Sequence, residues 1–170
     1  MKNLFFVLLF LVSFVVFSQE NQYFSNNGSL TFDTKDYNFN IVLVPNLAEA
    51  LERWNNPDKS GNSYLISTMA VKIDEPIAIL IIFTPKKGNV NLTYNFSTLK
   101  ANGLFSEKKY NGLVIYNGKV KKNIALHGRD LPAIIFRNDD PIGKCQFHLE
   151  IYDSEKFLGK AILEFEVKAK

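Results

Sequence analysis

Residues 90–97 read Val-Asn-Leu-Thr-Tyr-Asn-Phe-Ser, with an apolar side chain at every even position and a polar one at every odd position. A strand sends successive side chains to opposite faces, so a period of two marks a sheet with one buried face and one wet face. The preceding run from Ile77 to Phe83 is apolar throughout, which predicts a central strand covered on both sides. The first segment is one wall of a core, and the second lies within it.

The same pattern extends in both directions. Leu30 to Phe32 and Tyr37 to Val44 are short β-rich runs, and in the second Tyr37, Phe39, Ile41 and Leu43 alternate with Asn38, Asn40 and Val42. Further strands are predicted over Tyr64 to Ile73, Leu113 to Tyr116, Lys119 to Leu126, Ala133 to Arg137, Lys144 to Tyr152 and Phe157 to Val167, with Gly and Pro at the joints. Asn117-Gly118 between two of these predicts a hairpin, because a type I′ turn needs positive φ at both central positions. One helix is predicted, Asn46 to Asn55, where Leu47, Ala50, Leu51 and Trp54 share a face. Asn46 is its cap, Glu49 the reciprocal partner and Pro57 its stop. Many short strands and a single helix predict a mainly β chain, an immunoglobulin-like two-sheet sandwich with one short N-terminal helix.

Outside the strands, Met1 to Ser18 has the order of a secretory signal peptide: Lys2, an apolar core from Leu4 to Phe17, then the small Ser18. The core is too short to span a bilayer and no basic flank follows it, so no membrane span is expected after cleavage. The chain divides into 1–18 as signal peptide, 19–29 as flexible lead-in and 30–170 as one sandwich domain. Residues 19–170 suffice for a sizeable core. Cys145 is the only cysteine, so stability must come from packing and not from an intramolecular disulfide. A formal net charge of +3, falling by one when Lys2 is removed, does not select nucleic acid as a partner.

Three stretches carry a resemblance: Trp54-Asn55-Asn56-Pro57 closing the helix, Pro76 opening the apolar strand to Phe83, and Asp140-Pro141-Ile142-Gly143 leading into the strand that ends at Asp153. In this order they resemble a loosely defined group of small exported bacterial proteins with one β-sandwich domain and no assigned activity. The resemblance covers roughly 46–167 and implies fold and location, with no chemistry. It also implies an aromatic where this chain has Cys145, and in some members a cysteine pair around Lys86-Lys87-Gly88; this chain departs from both. The Ser18-Gln19 junction and the Lys, Asn, Phe and Ile usage resemble exported proteins of the Flavobacterium type, which implies the periplasm or the cell surface.

Candidate chemistry is sparse. His127 and His148 are the only histidines. On the predicted strand His148 points outward with Gln146 and Glu150 while Cys145, Phe147, Leu149 and Ile151 point inward, which separates Cys145 from His148. Asp139, Asp140, Asp153 and Glu155 flank one strand and have the oxygen chemistry of a calcium site, but turn formation by Asn138-Asp139-Asp140-Pro141 explains them more simply. His127-Gly128-Arg129-Asp130 reads as a polar loop, and Lys86-Lys87, Lys108-Lys109 and Lys119-Lys121-Lys122 read as solvated surface. Tyr110 and Tyr116 near two of those basic spots suit a glycan or an acidic polymer, through stacking and charge. No residue is singled out as catalytic, cofactor-binding or metal-ligating, and no cofactor is implied. The expected function is a non-enzymatic exported binding module of the bacterial envelope whose partner is a protein or a cell-surface glycan. The alternatives are an envelope-acting enzyme or inhibitor using the acidic loops, and a carrier of a small apolar ligand inside the sandwich.

Overall fold

Strand alternation organises the observed architecture. The computed structural model describes residues 21–44, 70–86, 88–106, 110–119 and 134–170, and the backbone of 126–127. The expected leader 1–18 and the expected helix Asn46 to Asn55, with Trp54, lie outside the described residues. The described chain is mainly β and forms two sheets.

The first sheet runs β1 (Gln22–Ser25), β11 (Lys156–Lys168), β10 (Gly143–Asp153), β6 (Asn89–Leu99) and β7 (Tyr110–Lys119), with β4 (Ala70–Lys72) also paired to β11. The second runs β2 (Ser29–Asp33), β3 (Tyr37–Val44), β5 (Pro76–Pro85) and β8 (Leu126–His127), with β9 (Ile134–Ile135) on another part of β5. β1 and β4 pair with β11 in parallel and the other ladders are antiparallel.

Side-chain parity follows the sequence closely. Val90, Leu92, Tyr94 and Phe96 are buried, as are Tyr37, Phe39, Ile41 and Leu43, and Cys145, Phe147, Leu149 and Ile151. These residues and their counterparts on β5 and β11 form one core cluster spanning both sheets. Aromatic rings occupy much of it: Phe147 stacks on Phe165 at 4.4 Å and meets Phe96 at 5.2 Å, while Tyr23, Phe32 and Phe39 stack in series. Along β5 the inward set Ile77, Ile79, Ile81 and Phe83 is buried, but of the other face only Ala78 is, with Leu80 and Ile82 half-buried.

Two expectations need correction. Asn117-Gly118 is not a hairpin turn: β7 runs straight through it, with Asn91 opposite Asn117 and Val90 opposite Gly118. Gly118, at φ 145, provides a backbone bend beside the Tyr116 ring, and pairing with a long β6 outweighs the local turn preference. The polar stretch after residue 19 is not a lead-in throughout, because Gln22–Ser25 forms β1 on the free edge of β11. Its backbone pairing and the stacking of Tyr23 on Phe32 hold it, and composition reports neither. Of the predicted strand over Lys119 to Leu126, the two ends fall in β7 and β8, and 120–125 lie outside the described residues. The β10–β11 hairpin falls where expected, with Ser154 at φ 57 in its turn and Asp153 opposite Lys156.

Candidate functional site

Outward positions of the first sheet line up in rows across the strands. In one row Lys160 of β11, Glu150 of β10 and Asn95 of β6 are direct ladder neighbours; in the next, Ile162, His148 and Ser97 are. All of them belong to the half-buried class while the residues between them along each strand are buried. The rows therefore lie on the wet face. Two features turn this face into a groove of about 290 Å3 lined by Asn95, Ser97, Phe105, Asn111, His148, Glu150 and Lys160.

The first feature is a bulge. The β6–β7 register slips between Tyr94 and Phe96, and Gly112 there has φ 64 and donates its backbone N–H to Asn95 Oδ1 at 2.9 Å. A bulge twists its strand and re-aims nearby side chains, here bringing Asn111 to the rim. The second is the turn after β6. Phe105 makes an isolated bridge to Leu99 and sets its ring edge-to-face with His148 at 5.2 Å, yet stays 47% exposed.

Hydrogen bonds fix the floor. Gln146 donates its amide to Glu164 Oε2 at 3.4 Å, which turns its carbonyl oxygen toward His148 Nε2 at 3.0 Å. An amide oxygen only accepts, so Nε2 carries the imidazole proton and Nδ1 keeps its lone pair. Nδ1 is buried and has no hydrogen-bond partner among the described residues. Burial, and then the charge of Lys160, push the His148 pKa below its ordinary value, with Glu150 opposing weakly. The ring is neutral at pH 7. Glu150 accepts the Tyr152 hydroxyl at 3.2 Å and lies 3.9 Å from Lys160 Nζ.

Ser97 sits opposite His148 in the ladder, but no hydrogen bond joins the two side chains among the described residues, whereas a nucleophile is activated through a hydrogen bond to its base. Cys145 faces the other side of the sheet and is buried; burial pushes its thiol pKa up, with the Ala101 backbone opposing, so it is a packing residue.

The acidic loops do not form a site. They sit at the two ends of β10, whose 11 residues span about 33 Å. Asp140 pairs with Lys100 and accepts the backbone N–H of Arg137 at 2.9 Å, closing the turn before β10. Burial raises its pKa, but those bonds outweigh burial and leave it below the ordinary value. Asp153 accepts the hydroxyl of buried Tyr37 at 3.0 Å, and Asp139 and Glu155 are solvated apart or at opposite ends. No group of three acidic, His or Cys side chains suited to a metal ion occurs among the described residues. The segment 128–130 after His127 lies outside those residues, as do Lys87, Lys108, Lys109, Lys121 and Lys122. Tyr110 and Tyr116 are half-buried and lean on Phe96 and Phe83 at 5.9 and 6.1 Å. Phe105, exposed at the groove rim, is the lining aromatic that the sequence pattern did not single out.

No family model matches the chain, and no curated protein does. Among solved structures, a Niemann-Pick type C2 protein from Japanese carpenter ant aligns with 91% of this chain and 96% of its own, at 10% identity and a TM-score of 0.40. The Pseudomonas fluorescens alkylpurine DNA glycosylase AlkC, solved bound to DNA containing an abasic site analog, aligns with 59% of this chain at 16% identity and the same TM-score of 0.40. The chain covers only 28% of that protein's length.

Proposed function

We propose that the chain is a non-enzymatic binding module, exported to the bacterial periplasm or cell surface, which holds a protein or a surface glycan in the groove over β6, β10 and β11. The observation that carries this reading is the groove itself. It has a floor of paired, hydrogen-bonded side chains on rigid strands and an exposed aromatic at its rim. Preformed concavities with a few fixed polar groups are where ligands bind. Hydrolytic chemistry is disfavoured because no hydrogen bond joins His148 to Ser97 among the described residues and the acidic loops are parted at the two ends of β10. Export rests on the order of charge, apolar core and small residue in Met1 to Ser18.

The sandwich is of immunoglobulin-like type. What supports this is the strand order: β6 and β10 are neighbours, β10 and β11 form a hairpin, and a short β1 lies parallel on β11. The crossing from β5 to β6 then links the two sheets in Greek-key fashion.

The test places a photo-crosslinking amino acid at Phe105 and, as a control, at Asn38, which is exposed on the second sheet. After irradiation in intact cells, position 105 is expected to trap one reproducible envelope component that position 38 does not. Equal labelling from both positions would refute a groove-centred binding role. Export is read in the same material from the mass of the mature N-terminus, with an intact leader overturning it.

A further inference from the structure

The groove balances its charges. Lys160, with its side chain 21% exposed, faces Glu150, and the His148 ring beside them is neutral. An entering anion would meet the Glu150 carboxylate and an entering cation the Lys160 ammonium, so neither gains net attraction. What the lining offers is hydrogen bonding of both kinds. Glu150 accepts, and Lys160 donates. Asn95 has turned its oxygen to Gly112 and so presents amide hydrogens, while Asn111 and Ser97 do either. Beside these polar groups stands the half-exposed ring of Phe105.

A ligand matching this lining is uncharged, carries many hydroxyls and has one flat apolar face. A pyranose ring has that form: its axial C–H bonds make an apolar face and its equatorial hydroxyls a polar rim. A volume of about 290 Å3 is near the lower bound for small-ligand sites and accommodates about one or two such rings. We infer that the groove is a binding site for a neutral saccharide, stacked on Phe105 with its hydroxyls shared among Glu150, Lys160 and Asn95. This inference rests on the binding-module reading above and narrows its ligand.

The experiment is an NMR titration of the 15N-labelled protein with the methyl glycosides of glucose, galactose, mannose and N-acetylglucosamine, with cellobiose and chitobiose, and with methyl glucuronide. At least one neutral sugar is expected to shift the side-chain amides of Asn95 and Asn111 and the backbone amide of Phe105. Phe105→Ala and Glu150→Gln, checked for native spectral dispersion, are expected to weaken that sugar by about tenfold or more, while Val114→Ala on the same sheet leaves it unchanged. No shift from any neutral sugar overturns the inference. So does binding that survives Phe105→Ala, or tighter binding of the glucuronide. Should crosslinks from position 105 still trap one component while no sugar binds, the groove stands as the binding surface and the saccharide alone is lost.

Discussion

Phe147 and Phe105 approach the same strand pair from opposite faces, and truncating each in turn tests the parity on which the groove depends. Phe147 is 0% exposed and packs against Phe165 at 4.4 Å and Phe96 at 5.2 Å, so its removal opens a cavity between rings with little freedom to collapse. Phe→Ala at such a position costs about 3–5 kcal/mol. For a chain of this size that lowers Tm by roughly 10 °C. Phe105 is 47% exposed and contributes only part of a side chain's burial, so Phe105→Ala is expected to cost about 1 kcal/mol. Urea denaturation followed by fluorescence and circular dichroism reads both, with an unchanged m-value showing that the denatured state is comparable. Phe147→Ala should also loosen the groove, because His148 and Glu150 hold their outward directions through the packing of Phe147 and Leu149 beneath them. A Phe147→Ala cost below about 1 kcal/mol, or a Phe105→Ala cost matching it, would refute the assignment of inner and outer faces to β10.

Three smaller predictions accompany it. His148 titrates below its ordinary value of 6.5 in the folded state, so the unfolded chain takes up the proton first. Stability is then full above that pH, declines as pH falls through it and levels off once the native ring is protonated; His148→Gln should flatten this decline in melts taken from pH 8 to 5. The Asp140 carboxylate is held below its ordinary 3.8, so its contribution is present above that pH and is lost as pH falls through the folded value. Asp140→Asn should cost about 1–2 kcal/mol at pH 7 and nearly nothing in acid, and an equal cost at both would show that the Lys100 pairing does not stabilise the turn. Gly143 has φ 127, and an added Cβ would meet Ala101 Cβ at 3.3 Å, whereas nothing lies within 4 Å at Gly88. Gly143→Ala is expected to cost about 1–3 kcal/mol and Gly88→Ala under about 0.5, and similar melting curves would remove the strain argument.

Much of the sandwich was legible because parity is a local property. The alternation in Val90 to Ser97 and in Cys145 to Ile151 placed each side chain on its correct face, including the separation of Cys145 from His148. What failed was judged from turn chemistry or composition alone. Asn117-Gly118 carries a strong hairpin signal, yet β6 is 11 residues long and its pairing continues through both residues. Gln22–Ser25 lies in a polar, Asn-rich stretch, yet a parallel ladder to β11 satisfies its backbone, and the pairing lies more than a hundred residues away in sequence. Short-range preference loses wherever a distant strand offers a full row of hydrogen bonds.

The groove was hidden for a related reason: parity says which face a residue takes, but register decides which residues on that face become neighbours. Glu150, Lys160 and Asn95 are each an unremarkable outward position in sequence, and become one row only because β10 pairs with β11 and β6 in the observed register. The slip between Tyr94 and Phe96 then sends Asn111 to the rim, and Phe105 arrives from a turn outside any strand. Cross-strand coupling measures this directly. In a double-mutant cycle, Glu150→Gln and Asn95→Ala should interact in their effect on whatever occupies the groove, since they are ladder partners. Glu150 and Glu164 share the β10–β11 face but stand in different rows, with Glu164 opposite Gln146, and their effects should add. Coupling in the second pair and not the first would mean that the site is organised along the strands and not across them.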